Sequence, residues 1–167
     1  MNVTCHLAVA TSTFLVAIKA FPHFTLFQSP LFFFIGLFAC LFGSLLPDLD
    51  HPRSTMGKCV PFISYPISGF FGHRGITHSL LAVVGLCWVL KHYVFAQEGT
   101  TLFFVLIVFP LVLGYLSHLI ADVFSYAGVP LFYPLRIKVS IPIFRSGPAQ
   151  AVLSMTFLAF SIWWYLN

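Results

Sequence analysis

Acid is what this chain has least of: four carboxylate side chains in 167 residues, against eight Lys and Arg, with only 7% of residues charged. So little polar surface cannot cover a core in water. A 59% hydrophobic composition, 21 phenylalanines and a mean hydropathy of +0.98 exclude an ordinary soluble globule. Cysteine is sparse too. Cys5, Cys40, Cys59 and Cys87 show no CxxC spacing, and Cys40 and Cys87 fall in apolar stretches where a thiol behaves as a small hydrophobe. Nothing here builds a disulfide framework. The basic residues Lys19, Arg53, Lys58, Arg74, Lys91, Arg136, Lys138 and Arg145 are dispersed, so the formal +4 charge forms no stripe for nucleic acid. No Lys or Arg precedes Lys19, which argues against a cleaved leader with a basic first region. Repeats and low-complexity linkers are missing, and the length suits a single domain over 1–167.

What is present is a series of five apolar stretches, roughly 6–27, 31–47, 78–96, 101–121 and 148–166, each near the ~20 residues that cross a bilayer as helix. They predict an all-α, polytopic membrane bundle of about five transmembrane spans. Lys19 and His23 interrupt the first stretch, Pro30 and Pro47 bracket the second, and Pro110 is expected to kink the fourth. Trp163, Trp164 and Tyr165 read as an interfacial belt, and a re-entrant or amphipathic piece is expected within 123–147. Connections 48–77 and 122–147 carry six of the eight Lys and Arg, so the positive-inside rule places them in the cytoplasm, opposite Lys19 and Lys91.

Three of the four acids fall in two short motifs, Pro47-Asp48-Leu49-Asp50-His51-Pro52 and His118-Leu119-Ile120-Ala121-Asp122; Glu98 lies in a polar turn. An ionisable group at membrane depth carries a solvation cost and is a functional candidate by default. In the five-span order His6 opens the first span, Asp48 and Asp50 close the second, His78 opens the third, and His118 and Asp122 close the fourth. All land at one membrane face, whereas scattered core histidines would fall at both.

Each motif also has a plainer reading. His118 and Asp122, at i and i+4, share a helical face, which Gly114 and Ser125 extend with small residues that leave room for an ion or substrate. An intrahelical hydrogen bond would satisfy the same pattern. Asp48 and Asp50 in an extended stretch would point to one side as two hard oxygen ligands; the alternative is an Asx-rich turn. In His73-Arg74-Gly75-Ile76-Thr77-His78-Ser79, Gly75 permits a turn, Thr77 can N-cap the third span, and His78 would sit in its first turn. Arg74 offers a planar fork for phosphate or carboxylate oxygens, or the loop simply meets anionic headgroups. His6 alone reads as an interfacial residue and joins the set by its level. Cys5 beside it points elsewhere on the helix, and His23 and His92 belong to the opposite face.

The runs 45–52, Gly72-His73-Arg74-Gly75-Ile76-Thr77-His78-Ser79-Leu80-Leu81 and Gly114-Tyr115-Leu116-Ser117-His118-Leu119-Ile120-Ala121-Asp122, in this order, resemble the YdjM-type family of bacterial inner-membrane proteins, classed as metal-dependent hydrolases. Gly128-Val129-Pro130-Leu131-Phe132-Tyr133-Pro134-Leu135 continues the likeness, which covers about His6 to Pro142. That family is in turn distantly similar to the helical zinc-dependent phospholipases C and their nuclease relatives. The resemblance implies metal ligation by His6, Asp48, His78, His118 and Asp122, with Asp50, His51 and His73 in or directly around the ligand set. It has one departure: an acid follows the glycine that opens the last helix in the family pattern, and Gly147-Pro148-Ala149-Gln150-Ala151 supplies none.

The expected function is therefore a metal-dependent hydrolase of the inner membrane, acting on a lipid-like phosphoester at the cytoplasmic interface among membrane lipids. Mixed imidazole and carboxylate ligands suit Zn²⁺, with Mn²⁺ or Fe²⁺ as alternatives, and the number of candidates admits one or two ions. Asp50 is expected to orient the attacking water or accept its proton, and Arg74 to hold the developing negative charge. Two rivals have different requirements. An ion translocator needs polar residues through the spans, and 10–18, 83–90 and 103–113 hold almost none. A non-catalytic scaffold needs only a closed, structural metal shell.

Overall fold

A computed structural model describes residues 2–21, 24–72, 74–94, 100–135, 137–143 and 147–167. The helices are α1 (Val3–Ala20), α2 (Pro30–Leu45), α3 (Thr55–Cys59), α4 (Pro61–Phe71), α5 (Leu80–Val94), α6 (Thr100–Phe103), α7 (Phe109–Val123) and α8 (Gly147–Leu166). Short 3₁₀ turns cover Thr25–Gln28, Pro47–Asp50 and Ile76–His78, and a π-helical segment, Phe104–Val108, joins α6 to α7. Pro110 stands in the first turn of α7, directly after that segment, where its missing N–H costs no α-helical bond.

Among the described residues four segments are long and apolar enough to cross a membrane: Val3–Ala20, Pro30–Asp50, Thr101–Val123 and Gly147–Leu166. The third expected span, 78–96, is described as far as Val94, and α5 covers 15 residues of it. The protein is thus a helical membrane bundle, with four full-length candidate spans and one shorter apolar helix among the described residues. The segment expected to be re-entrant or amphipathic carries no helix among its described residues 124–143. It is a loop drawn together by one antiparallel bridge, Val129 to Val139, and by Ile141 N–H on the Val123 carbonyl.

The two faces of α2 show how the bundle closes. Leu31, Phe34, Phe38 and Phe42 recur every three to four residues and are exposed, as a lipid-facing stripe should be. The opposite face buries Gly36, Ala39, Cys40, Gly43 and Ser44. Small residues let helices in lipid approach backbone to backbone, where dispersion and polar contacts replace a hydrophobic driving force. The approach is reciprocal: a Cβ on Gly43 would overlap the Leu111 carbonyl of α7, and one on Gly114 would overlap the Cys40 carbonyl of α2. The space beside Gly114, expected to receive an ion or substrate, is filled by the backbone of α2.

α1 packs against α2, α7 and α8. The buried residues of α8 are Ser154 and Ser161, whose hydroxyls return to the Gln150 and Phe157 carbonyls. Lys19 Nζ donates to the Trp164 carbonyl, which places the C-terminal ends of α1 and α8 together. At the level of those ends the core is apolar: Phe14, Leu15, Ile18, Phe27 and Leu106 are buried together.

Candidate metal centre

Five side chains meet at the other end of the bundle. His6 comes from the first turns of α1, Asp48 from the 3₁₀ turn after α2, His78 from the turn before α5, and His118 and Asp122 from one face of α7. His6 Nε2 lies 3.6 Å from Asp122 Oδ1, His78 Nε2 lies 3.8 Å from Asp122 Oδ2 and 3.9 Å from Asp48 Oδ1, and His118 Nε2 repeats the last two distances. The rings of His6 and His118 stack at 3.7 Å and 5°, and the His78 ring stands 66° across His118. His6, His78, His118, Asp50 and Asp122 are all buried, while the Asp48 side chain keeps 19% exposure.

The orientation of His118 follows from the close approach of α2 and α7. That approach brings the Ser44 carbonyl to 2.6 Å from His118 Nδ1. A carbonyl only accepts, so Nδ1 carries the proton and Nε2 carries the lone pair. Nε2 is buried without a hydrogen-bond partner, as is His6 Nδ1. Leaving such atoms unsatisfied costs about 1–3 kcal/mol each, so a native site that keeps them calls for a ligand.

Asp48 and Asp50 do not point the same way. Their segment is a 3₁₀ turn, not an extended stretch, and at three residues per turn positions i and i+2 face apart. Asp48 reaches the Nε2 side of His78 and Asp50 its Nδ1 side, at 3.1 Å. Three donors converge on Asp50 Oδ2: His78 Nδ1–H, the Arg74 backbone N–H at 2.9 Å and the Thr77 hydroxyl. A carboxylate behind an imidazole fixes its tautomer and aims its other nitrogen, as it does behind metal-bound histidines. Thr77, expected to cap α5, serves Asp50 instead, and its carbonyl accepts from the Tyr115 hydroxyl. Ser79 takes the capping place, accepting from Ala82 N–H, and His78 stands in the turn before the helix.

Arg74 has φ of 60°, a left-handed conformation costing an L-residue roughly 1–2 kcal/mol, and its N–H bond to Asp50 holds it there. The guanidinium donates to Asp122 Oδ2 at 3.0 Å and to the Gly128 carbonyl at 2.9 Å. Of the two other candidates, His51 follows the 3₁₀ turn and belongs to neither close group of possible ligand atoms, and His73 lies outside the described residues. His92 stacks on Trp88 in α5.

The donor set fits a cation. His6, His118 and Asp122 form one group with ligand atoms within 4.8 Å of one another, and Asp48, His78 and His118 form another. Carboxylate–imidazole separations of 3.6–3.9 Å approach the roughly 3.4 Å edge of a tetrahedron built on ~2.1 Å bonds. Asp48, Asp50 and Asp122 against the one guanidinium of Arg74 leave two negative charges beside the imidazoles, which a dication would balance. Sequence reasoning missed Ser44, Gly43, Thr77 and Tyr115. The small pair Gly43 and Gly114 on two apolar spans was the available signal; a backbone carbonyl carries none.

The family model for the YdjM inner membrane protein matches residues 1–166. The chain is 41% identical over 128 residues to the inner membrane protein YdjM of Escherichia coli K12 and, equally, of Shigella flexneri; the match covers 71% of this chain and 61% of the relative. The matched part thus spans about three-fifths of the length of those curated relatives. It is also 32% identical over 127 residues to YvsG of Bacillus subtilis 168, with 74% of each chain covered. No solved structure matches. The chain belongs to the YdjM inner membrane protein family and is a multi-pass protein of the bacterial inner membrane.

Proposed function

We propose that the chain is a metal-dependent hydrolase of the membrane interface, cleaving a phosphoester carried by a lipid. One observation supports the reading above all: three buried imidazoles and two carboxylates gather at 3.6–3.9 Å, with His118 locked by Ser44 so that its lone pair faces the group. His6, His78, His118 and Asp122 would hold a divalent cation. Zn²⁺ suits their mixed nitrogen and oxygen donors, and Mn²⁺ or Fe²⁺ would use the same set. His118 has a single lone pair left, and both ligand groups need it, so the pair holds one ion and not two. When bound, such a cation supplies Lewis acidity and makes water a nucleophile near neutral pH.

The remaining tasks fall to the chain itself. Asp48, the carboxylate most open to the outside, takes the proton of the attacking water. Asp50, which the sequence suggested for that task, acts through His78 and is a positioning residue. Arg74 fixes Asp122 with one arm, and its remaining N–H donors face the negative charge that grows on the substrate.

The test is turnover of a chromogenic phosphodiester by the purified full chain. Activity should fall to background on chelation and return with Zn²⁺. Turnover indifferent to chelator, or none in metal-loaded protein, would remove the hydrolase reading. The site is further proposed to face the cytoplasm: among the described residues Arg53, Lys58, Arg74 and Lys138 lie in the connections at its end, and Lys19 and Lys91 near the opposite ends of α1 and α5. Cys59, exposed at the end of α3, reports on this. In intact cells lacking the other three cysteines, an impermeant thiol reagent should leave it unlabelled until the membrane is opened; prompt labelling would place the site outside.

A further inference from the structure

On the outer side of Arg74 lies a cleft of about 320 Å³, whose walls include Arg74, Lys138, Phe70, Phe71, Pro130 and Tyr133. Among the described residues no carboxylate lines it. Asp50 and Asp122 are engaged on the inner side of Arg74, and Lys138 makes no ion pair among the described residues. The cleft is therefore cationic, with aromatic walls; Phe71 and Tyr133 meet edge to face at 6.4 Å. Arg74 connects it to the metal centre, since the guanidinium that lines the cleft also holds Asp122. An anion bound here would stand one side chain from the imidazoles.

The aromatic wall continues along α4. At 11 residues this helix is too short to cross a bilayer, yet Phe62, Tyr65 and Phe70 on it are 74%, 67% and 86% exposed. Its buried residue, Ser64, belongs to the side that packs on α3 and the Pro47–Asp50 turn. Outward aromatics on a short helix at the end of a membrane bundle belong to headgroup depth, where rings sit between hydrocarbon and water. An anion reaching the cleft thus arrives from the headgroup layer, where phosphate is the prevailing anionic group.

We infer that this cleft binds the phosphate of an anionic lipid headgroup, held by Lys138 and the outer face of Arg74, and so gathers the lipid substrate at the entrance to the metal centre, from which it passes inward before reaction. The inference rests on the hydrolase reading for the word substrate, but the binding itself does not. The experiment measures binding of phosphatidylglycerol with a fluorescent acyl tail to the full chain in detergent, beside a phosphatidylcholine control and competition by inorganic phosphate. Lys138→Gln should weaken phosphatidylglycerol binding about fivefold, the size of one basic side chain at an anionic surface. Lys138→Arg should preserve it, and phosphatidylcholine should bind more weakly and ignore both changes. Equal binding of the two lipids, or no effect of Lys138→Gln, overturns the proposal. Displacement by inorganic phosphate as effective as by the lipid itself also overturns it, in favour of a site for the free anion. Bound metal, measured on the same samples, should be unchanged in Lys138→Gln. Lys138-dependent lipid binding by a chain that retains no metal would sink the hydrolase reading and leave the cleft standing.

Discussion

At the end of the bundle away from the histidines, Phe14 meets Phe27 and Phe33 edge-on at 5.4 and 5.6 Å, and Lys19 is drawn off to the α8 carboxyl-terminal backbone. At the other end, similarly deep in protein, His6, His78 and His118 stand among Asp48, Asp50 and Asp122. The first region is held mainly by shape. Its rings would be as well solvated by lipid, so what favours it is packing density and aromatic geometry. The second is held by directional bonds, two of which aim an imidazole directly, Ser44 on His118 and Asp50 on His78, while Thr77 holds Asp50 in turn. A chain with four acids has placed three of them where each has a histidine or an arginine within 4 Å. The apolar region lies between the site and the far ends of α1 and α8.

If that contrast is right, the two regions should fail differently. The largest effect is expected where they are joined. Gly114→Ala places a Cβ against the Cys40 carbonyl, and a backbone cannot yield as a side chain can. Loss of about 3 kcal/mol of stability is expected, with weakened metal binding as Ser44 is carried away from His118. Thermal unfolding in detergent and metal titration would check both. Phe14→Ala should cost about 2 kcal/mol, less than in a soluble core, because the cavity remains but the transfer from water is missing. Folded Phe14→Ala should keep its full metal content; a drop would mean that the two regions are not separable. Asp50→Asn does the reverse. Fold and insertion should survive, while metal affinity falls at least tenfold, about 1.4 kcal/mol, through loss of the carboxylate that orients His78. The smallest effect belongs to Gly85→Ala in α5, where a Cβ meets nothing within 4 Å. Stability should rise by up to about 1 kcal/mol, with the site untouched.

The sequence made the site more legible than the turns that build it. His6, Asp48, His78, His118 and Asp122 stood out because ionisable groups are costly in an apolar chain, and span order alone put them at one face. The number and order of the apolar segments followed from hydropathy, but the first helix ends at Ala20, well before the expected limit near 27. What could not be read was conformation within four residues. Pro47 was compatible with an extended exit or a 3₁₀ turn, and the choice decides whether Asp50 faces the pocket or the back of His78. Gly114 was equally ambiguous, because an absent side chain leaves room for an ion or for another helix, and here the helix takes it. Ser44 acts through its carbonyl, a group that every residue possesses.

The central claim is that the buried imidazoles and carboxylates exist to hold a cation, and metal stoichiometry tests it most directly. Purified full chain, its Asp122→Asn form and its His118→Ala form would be dialysed against trace metal and analysed by elemental mass spectrometry, with thermal unfolding as a check on folding. Asp122→Asn keeps volume and hydrogen-bonding capacity but removes the charge beside His6, His78 and His118. About one divalent ion per native chain is expected, and at least tenfold weaker retention in both folded variants. Equal metal content in all three, or a native chain that binds none, would contradict the account.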